Sequence, residues 1–160
     1  MDIIMKDGIG RTIDYLRISV TDKCNLRCRY CMPKEGIKLI PHEEILTLEE
    51  IARVCRIMAA LGIKKVRITG GEPLVRKNIV KLIADIHDIP QIEDIAITTN
   101  GVLFAPMAKD LHQAGLDRIN LSLDTCNPET FAQITGKDEF AATWQAMDAA
   151  LANNMAVKIN

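Results

Sequence analysis

The sequence predicts an α/β fold, the N-terminal portion of a partial TIM-type (β/α) barrel with a parallel sheet, truncated in its fifth strand. Three observations lead there. Short β-rich runs alternate with longer stretches of helical periodicity, which favours a parallel sheet covered by helices, either open and doubly wound or closed as a barrel. The runs carry polar residues at alternate positions, and in a barrel that polar face lines a lumen holding water and a polar ligand. A complete barrel takes about 250 residues, whereas the 160 residues here end within the fifth run.

The first run, residues 15–21, sets Tyr15, Arg17 and Ser19 against Leu16, Ile18 and Val20. Four more follow at residues 65–69, 94–99, 118–123 and 156–160, where Arg67, Thr98 and Lys158 repeat the polar phase. The fourth sets Asn120, Ser122 and Asp124 against Ile119, Leu121 and Leu123. The first helix begins at Thr47, which has capping-box spacing to Glu50, and Ile51, Val54, Cys55 and Met58 then recur on one face. Gly62 is placed to end it. A second helix starts at Asn78, with Ile79, Leu82, Ile83 and Ile86 apolar. A third covers residues 103–114, with Gly115 as its C-terminal cap. Asn127 and Pro128 read as the cap and first position of a fourth, and helical pattern continues over residues 139–153. No linker, repeat or low-complexity tract intervenes, so residues 1–160 read as one domain.

Composition narrows the class. With 48% hydrophobic residues the chain buries a core, and a formal net charge of −1 leaves no global attraction for nucleic acid or an acidic membrane. Any anion must be held locally. No apolar run approaches a membrane span, and the start MDIIMKDGIGR lacks the build of a secretory signal, so a cytoplasmic location is expected. Five cysteines in a reducing compartment argue against a disulfide framework and for metal-binding or catalytic use of the clustered ones.

Three thiols, Cys24, Cys28 and Cys31, lie in TDKCNLRCRYCMP, directly after the first strand. Thiolates on one loop suit zinc or an iron–sulfur cluster. A structural zinc site takes four ligands, and no nearby His or Cys supplies the fourth. On a four-iron cluster the same shortfall leaves one iron open to an exogenous ligand. Use of Cys28 and Cys31 as a redox dithiol leaves Cys24 unexplained. Cys55 falls on an apolar helix face and reads as a core thiol, while Cys126, beside a helix start, is ambiguous. His42, His87 and His112 are dispersed and are assigned no chemistry.

The spacing of Cys24, Cys28 and Cys31, with Tyr30 before the third, resembles the CxxxCxxC motif of the radical S-adenosylmethionine superfamily. In that superfamily the amino and carboxylate groups of S-adenosylmethionine chelate the open iron, and reduction yields a 5′-deoxyadenosyl radical. TGGEP, at residues 69–73, falls where the superfamily's glycine-rich loop contacts the methionine amino group. In isolation, Gly70 and Gly71 would read as a turn.

YLRISVTDKCNLRCRYCMP, VRITGGEPLVR, TTNG, NLSLD and VKIN, in that order, resemble the GTP 3′,8-cyclase family of molybdenum-cofactor biosynthesis over nearly the whole chain. The resemblance implies a lyase in which the radical takes the ribose 3′ hydrogen of GTP and the sugar radical attacks guanine C8. It implies cluster ligation by Cys24, Cys28 and Cys31, S-adenosylmethionine contacts from Tyr30, Gly71 and Ser122, and GTP contacts from Arg17, Arg67, Thr98 and Lys158. Alternation independently points the three cations toward the lumen, where a triphosphate needs charge-assisted hydrogen bonds. The roles of Thr98 and Ser122 rest on the resemblance, and Lys64 and Lys65 read as solvated. A second [4Fe-4S] cluster is expected only in a C-terminal region absent from these residues. The partners implied are GTP and an electron donor, with no nucleic acid or membrane, and the assembly allowed is a homodimer. Another radical S-adenosylmethionine enzyme, or a non-enzymatic module stabilised by thiolate-bound metal, remain as alternatives.

Overall fold

A computed structural model describes residues 5–33 and 36–160; residues 1–4, 34 and 35 and the His42 side chain lie outside the described residues. Five strands pair in parallel and in chain order: β1 Tyr15–Ser19, β2 Lys65–Thr69, β3 Asp94–Thr99, β4 Arg118–Leu121 and β5 Ala156–Ile159. An order that never reverses is that of a barrel wall, since a doubly wound sheet reverses at its switch point. The helices are α1 Leu48–Ala60, α2 Ile79–His87, α3 Ala108–Gln113, α4 Pro128–Thr135 and α5 Phe140–Ala152.

Helix starts follow local chemistry. Thr47 Oγ1 accepts from Glu50 N–H at 3.2 Å while Glu50 Oε2 accepts from Thr47 N–H at 2.7 Å, the expected capping box. Thr47→Ala should lower stability by about 1 kcal/mol, read as a shift of the urea midpoint with unchanged slope. Asn127 caps α4 through Thr130 N–H at 2.8 Å. Asn78 precedes α2 at a φ of 61° and makes no side-chain cap.

Four expectations need correction. The runs 15–21, 118–123 and 156–160 overreach the strands, which stop at Ser19, Leu121 and Ile159. Val20 N–H still reaches Thr69 O at 2.9 Å, but Thr21 O turns to accept Gly71 N–H at 2.8 Å, leaving the sheet to hold a loop. The third helix is shorter than residues 103–114: a 3-10 turn, Ala105–Met107, precedes α3. Pro106 has no N–H, and the bonds Phe104 N to Gly101 O and Met107 N to Phe104 O are of the tighter type.

The sheet has one apolar and one polar face. Val66, Ile68, Ile95, Ile97, Ile119 and Leu121 are no more than 1% exposed and pack in one core with Ile51, Cys55, Leu82, Ile83, Ile86 and Ala146 of the helices. Each such aliphatic side chain contributes about 1.5–3 kcal/mol of transfer free energy. On the other face the register aligns Arg17, Arg67, Ala96 and Arg118 in one cross-strand row, and Thr98, Asn120 and Lys158 in the next. Among the described residues no helix is long and apolar enough to cross a membrane.

Candidate cofactor and anion site

Parallel strands deliver all their following loops to one edge of the sheet. The loop after β1 carries the three thiols, and the loop after β2 carries Gly70, Gly71 and Glu72. These two loops join by backbone hydrogen bonds, Gly71 N to Thr21 O and Glu72 N to Lys23 O, both 2.8 Å. Glycine is required for that approach. Gly70 has a φ of +150°, and a Cβ there would strike the Thr21 backbone; a Cβ on Gly71 would strike the carbonyl oxygens of Lys23 and Asp22.

The cysteine loop is pinned on its far side to the end of α4, where Arg27 N and Arg29 N donate to Thr135 O and Ile134 O at 2.9 Å. Cys28 O accepts from both Cys31 N and Met32 N, curling the chain between the second and third thiols. Cys24 and Cys28 are half-buried against Leu26, Leu123 and Phe131, whereas Cys31 is exposed. Burial pushes the Cys28 thiol up; a Tyr30 hydrogen bond opposes this, and charge on Cys24 and Cys31 adds to it. Among the described residues, no three His, Cys, Asp or Glu side chains form a group that could hold a single metal ion. A closed structural zinc site takes four protein ligands, whereas three thiolates on one loop are the donor set of an iron–sulfur cluster with one open iron, so the loop's donor chemistry fits a cluster better than zinc.

Glu72, fully buried, bridges the loops. Its Oε1 accepts from Leu74 N at 3.0 Å and Thr99 Oγ1 at 2.9 Å, and its Oε2 from Asn100 N at 2.8 Å. Burial raises its pKa, and these three hydrogen bonds pull the other way. Asn100 in turn reaches the cysteine loop, donating through Nδ2 to Asn25 Oδ1 at 2.8 Å and to Cys24 Sγ at 3.9 Å. Tyr30 donates its hydroxyl to Asp124 Oδ2 at 2.8 Å, which draws the cysteine loop to the loop after β4 beside half-buried Ser122. A cleft of about 330 Å³ opens beside Cys24, between Asp22, Lys23, Met32 and Leu39. A larger hollow of about 940 Å³, against Arg29 and Gln133 of α4, includes none of the ten predicted site residues.

The predicted anion contacts fall on the polar face in two rows. Arg17 and Arg67 are direct neighbours on β1 and β2, and Thr98 and Lys158 flank Asn120. The Arg67 guanidinium lies 5.2 Å from the Tyr15 ring centroid, a cation–π contact. Arg67 Nε, Thr98 Oγ1, Arg118 Nε and Asn120 Nδ2 are buried without a hydrogen-bond partner. Buried polar groups ordinarily have one, so these orphans, two in each row, fit a polar ligand. Sequence reading missed Arg118, which pairs with Asp94 in the Arg67 row, and the bridging roles of Glu72, Asn100 and Asp124. The polar phase of the fourth run was the available signal for Arg118.

Cys55 is fully buried, and burial pushes its thiol up to about 11. Cys126, His87 and His112 are exposed. Lys64 and Lys65 form solvent-facing pairs with Glu93 and Asp14.

A GTP 3′,8-cyclase of Desulforamulus reducens is 59% identical over 147 residues, covering 92% of this chain and 45% of the relative. A GTP 3′,8-cyclase of Syntrophomonas wolfei is 54% identical over 98% of this chain and 48% of its own length. This chain thus spans about half the length of the curated relatives it matches. Among solved structures, Streptococcus suis SuiB bound to S-adenosylmethionine has a TM-score of 0.74 at 21% identity, covering 92% of this chain and 32% of that one, a likeness of fold. The Radical SAM superfamily profile matches residues 18–160, from within β1 through β5 and including the thiol loop, so this chain belongs to the radical S-adenosylmethionine superfamily.

Proposed function

We propose that these residues are the N-terminal part of the radical core of a GTP 3′,8-cyclase, which converts GTP to (8S)-3′,8-cyclo-7,8-dihydroguanosine 5′-triphosphate in molybdopterin-cofactor biosynthesis. One juxtaposition carries the reading: a three-thiol loop at the edge of a sheet whose polar face holds Arg17 and Arg67 in register, with buried donors left unpaired. The high identity to named cyclases over this chain supports the choice of substrate.

In this reading Cys24, Cys28 and Cys31 hold a [4Fe-4S] cluster with one open iron, and Tyr30, Gly71 and Ser122 orient S-adenosylmethionine against it. When bound, the cluster and S-adenosylmethionine supply one-electron chemistry that opens a C–H bond of the ribose. Arg17, Arg67 and Lys158 grip the triphosphate through charge-assisted hydrogen bonds, and Thr98 supplies an uncharged contact beside them. An external electron donor, a cytoplasmic location, a homodimeric assembly and a second-cluster region further along a longer protein belong to the same proposal.

Anaerobic reconstitution of the full-length protein, followed by incubation with S-adenosylmethionine, a reductant and GTP, tests it. Formation of the 3′,8-cyclised nucleotide is the expected result. Turnover of S-adenosylmethionine with a different substrate, and none with GTP, would identify another radical enzyme. Arg67→Ala should weaken GTP binding on the order of 10–100-fold, since hydrogen bonds to charged groups contribute about 1.5–3 kcal/mol. Titration calorimetry of the full-length protein checks this.

A further inference from the structure

We infer that Asn100 is a positioning residue for the cluster, fastening the cysteine loop to the buried Glu72 carboxylate and tuning the cluster through Cys24; this rests on the cluster reading above. The chain of contacts is continuous. Glu72 Oε2 accepts the Asn100 backbone N–H at 2.8 Å, and Thr143 Oγ1 of α5 donates to Asn100 O at 2.9 Å. Asn100 Oδ1 accepts from Val102 N at 3.1 Å, which turns its amide so that Nδ2 faces the cysteine loop. There Nδ2 donates to Asn25 Oδ1 and to Cys24 Sγ, and Leu26 N donates to the same sulfur at 3.4 Å.

Two N–H groups therefore point at Cys24 Sγ, one from within its loop and one from the end of β3. A donor facing a cluster-ligating sulfur stabilises the more negative, reduced cluster over the oxidised one and raises its potential. The backbone of Asn100 is clamped from both sides, so its amide meets the thiolate without reorganisation.

The variant that isolates this role is Asn100→Asp in the full-length protein. It keeps an acceptor for Val102 N–H at nearly unchanged shape, and Asn25 can restore its contact by turning its own amide. The donor to Cys24 is lost and replaced by a carboxylate oxygen. The measurement is the midpoint potential of the cluster that responds to added S-adenosylmethionine, the one assigned to Cys24, Cys28 and Cys31, without substrate, together with iron and sulfide content. The expected result is a potential more negative than that of the unaltered protein, with a smaller shift in the same direction for Asn100→Ala, which removes the donor without adding charge. Should the Asp variant fail to fold, the Ala variant carries the comparison. Full cluster loading at an unchanged potential in the variants overturns the inference. An unaltered protein that binds no iron and sulfide overturns the cluster reading itself.

Discussion

Cys28→Ala is expected to leave the protein folded and without its iron–sulfur cluster. The substitution spares the backbone contacts that shape the loop: Cys28 O still accepts from Cys31 N and Met32 N, and Arg27 and Arg29 remain bonded to the end of α4. What it removes is the middle thiol of three, flanked by Cys24 and Cys31 closely enough that their charges act on it. Two thiolates cannot substitute for three in holding a cluster that also keeps one iron open. After anaerobic reconstitution of the full-length protein, iron and sulfide should fall by the equivalent of one four-iron cluster, and radical chemistry on any substrate should disappear with them. Iron content equal to that of the unaltered protein would refute the ligand assignment. Stoichiometric zinc in place of iron, with no response to S-adenosylmethionine, would favour the thiolate-stabilised module.

The second large effect is on stability. Glu72→Ala should destabilise the fold by about 2–4 kcal/mol, because it strands the buried Leu74 N–H and Thr99 hydroxyl and the half-buried Asn100 N–H. Urea denaturation reads this directly, and a loss under about 1 kcal/mol would mean that water replaces the carboxylate. Glu72 also gives a pH signature. Burial raises its pKa above the ordinary 4.5, so the folded protein keeps this proton to higher pH than the unfolded chain does. Its contribution therefore weakens as pH rises from 4.5 through the raised value and is constant above it. Glu72→Gln cannot titrate there. The stability of the unaltered protein relative to the Gln variant should fall with pH across that window and nowhere higher.

Helix caps, helix faces and strand phases were legible because each depends on residues a few positions apart. Thr47 and Glu50 meet within one turn, and Leu82, Ile83 and Ile86 share a face by helical period alone. Overreach occurred at strand ends, where Thr21 has strand-like neighbours in sequence yet bonds to Gly71 rather than continuing β1. Pro106, which has no N–H, is the sequence signal for the 3-10 turn that shortens the third helix.

The sequence by itself determined the parallel α/β class, the thiol triad and the polar phase that puts Arg17, Arg67, Thr98 and Lys158 on one face, all of them periodicities or short spacings. Only the tertiary structure decided the barrel-like strand order, the alignment of Arg17 with Arg67, and the part played by Glu72, Asn100, Asp124 and Arg118. Asn100 meets Asn25 across 75 residues of chain, and Tyr30 meets Asp124 across 94. Such contacts exist because parallel pairing stacks the loops at one edge in a fixed register, and no local pattern encodes which side chains that register brings within hydrogen-bond distance.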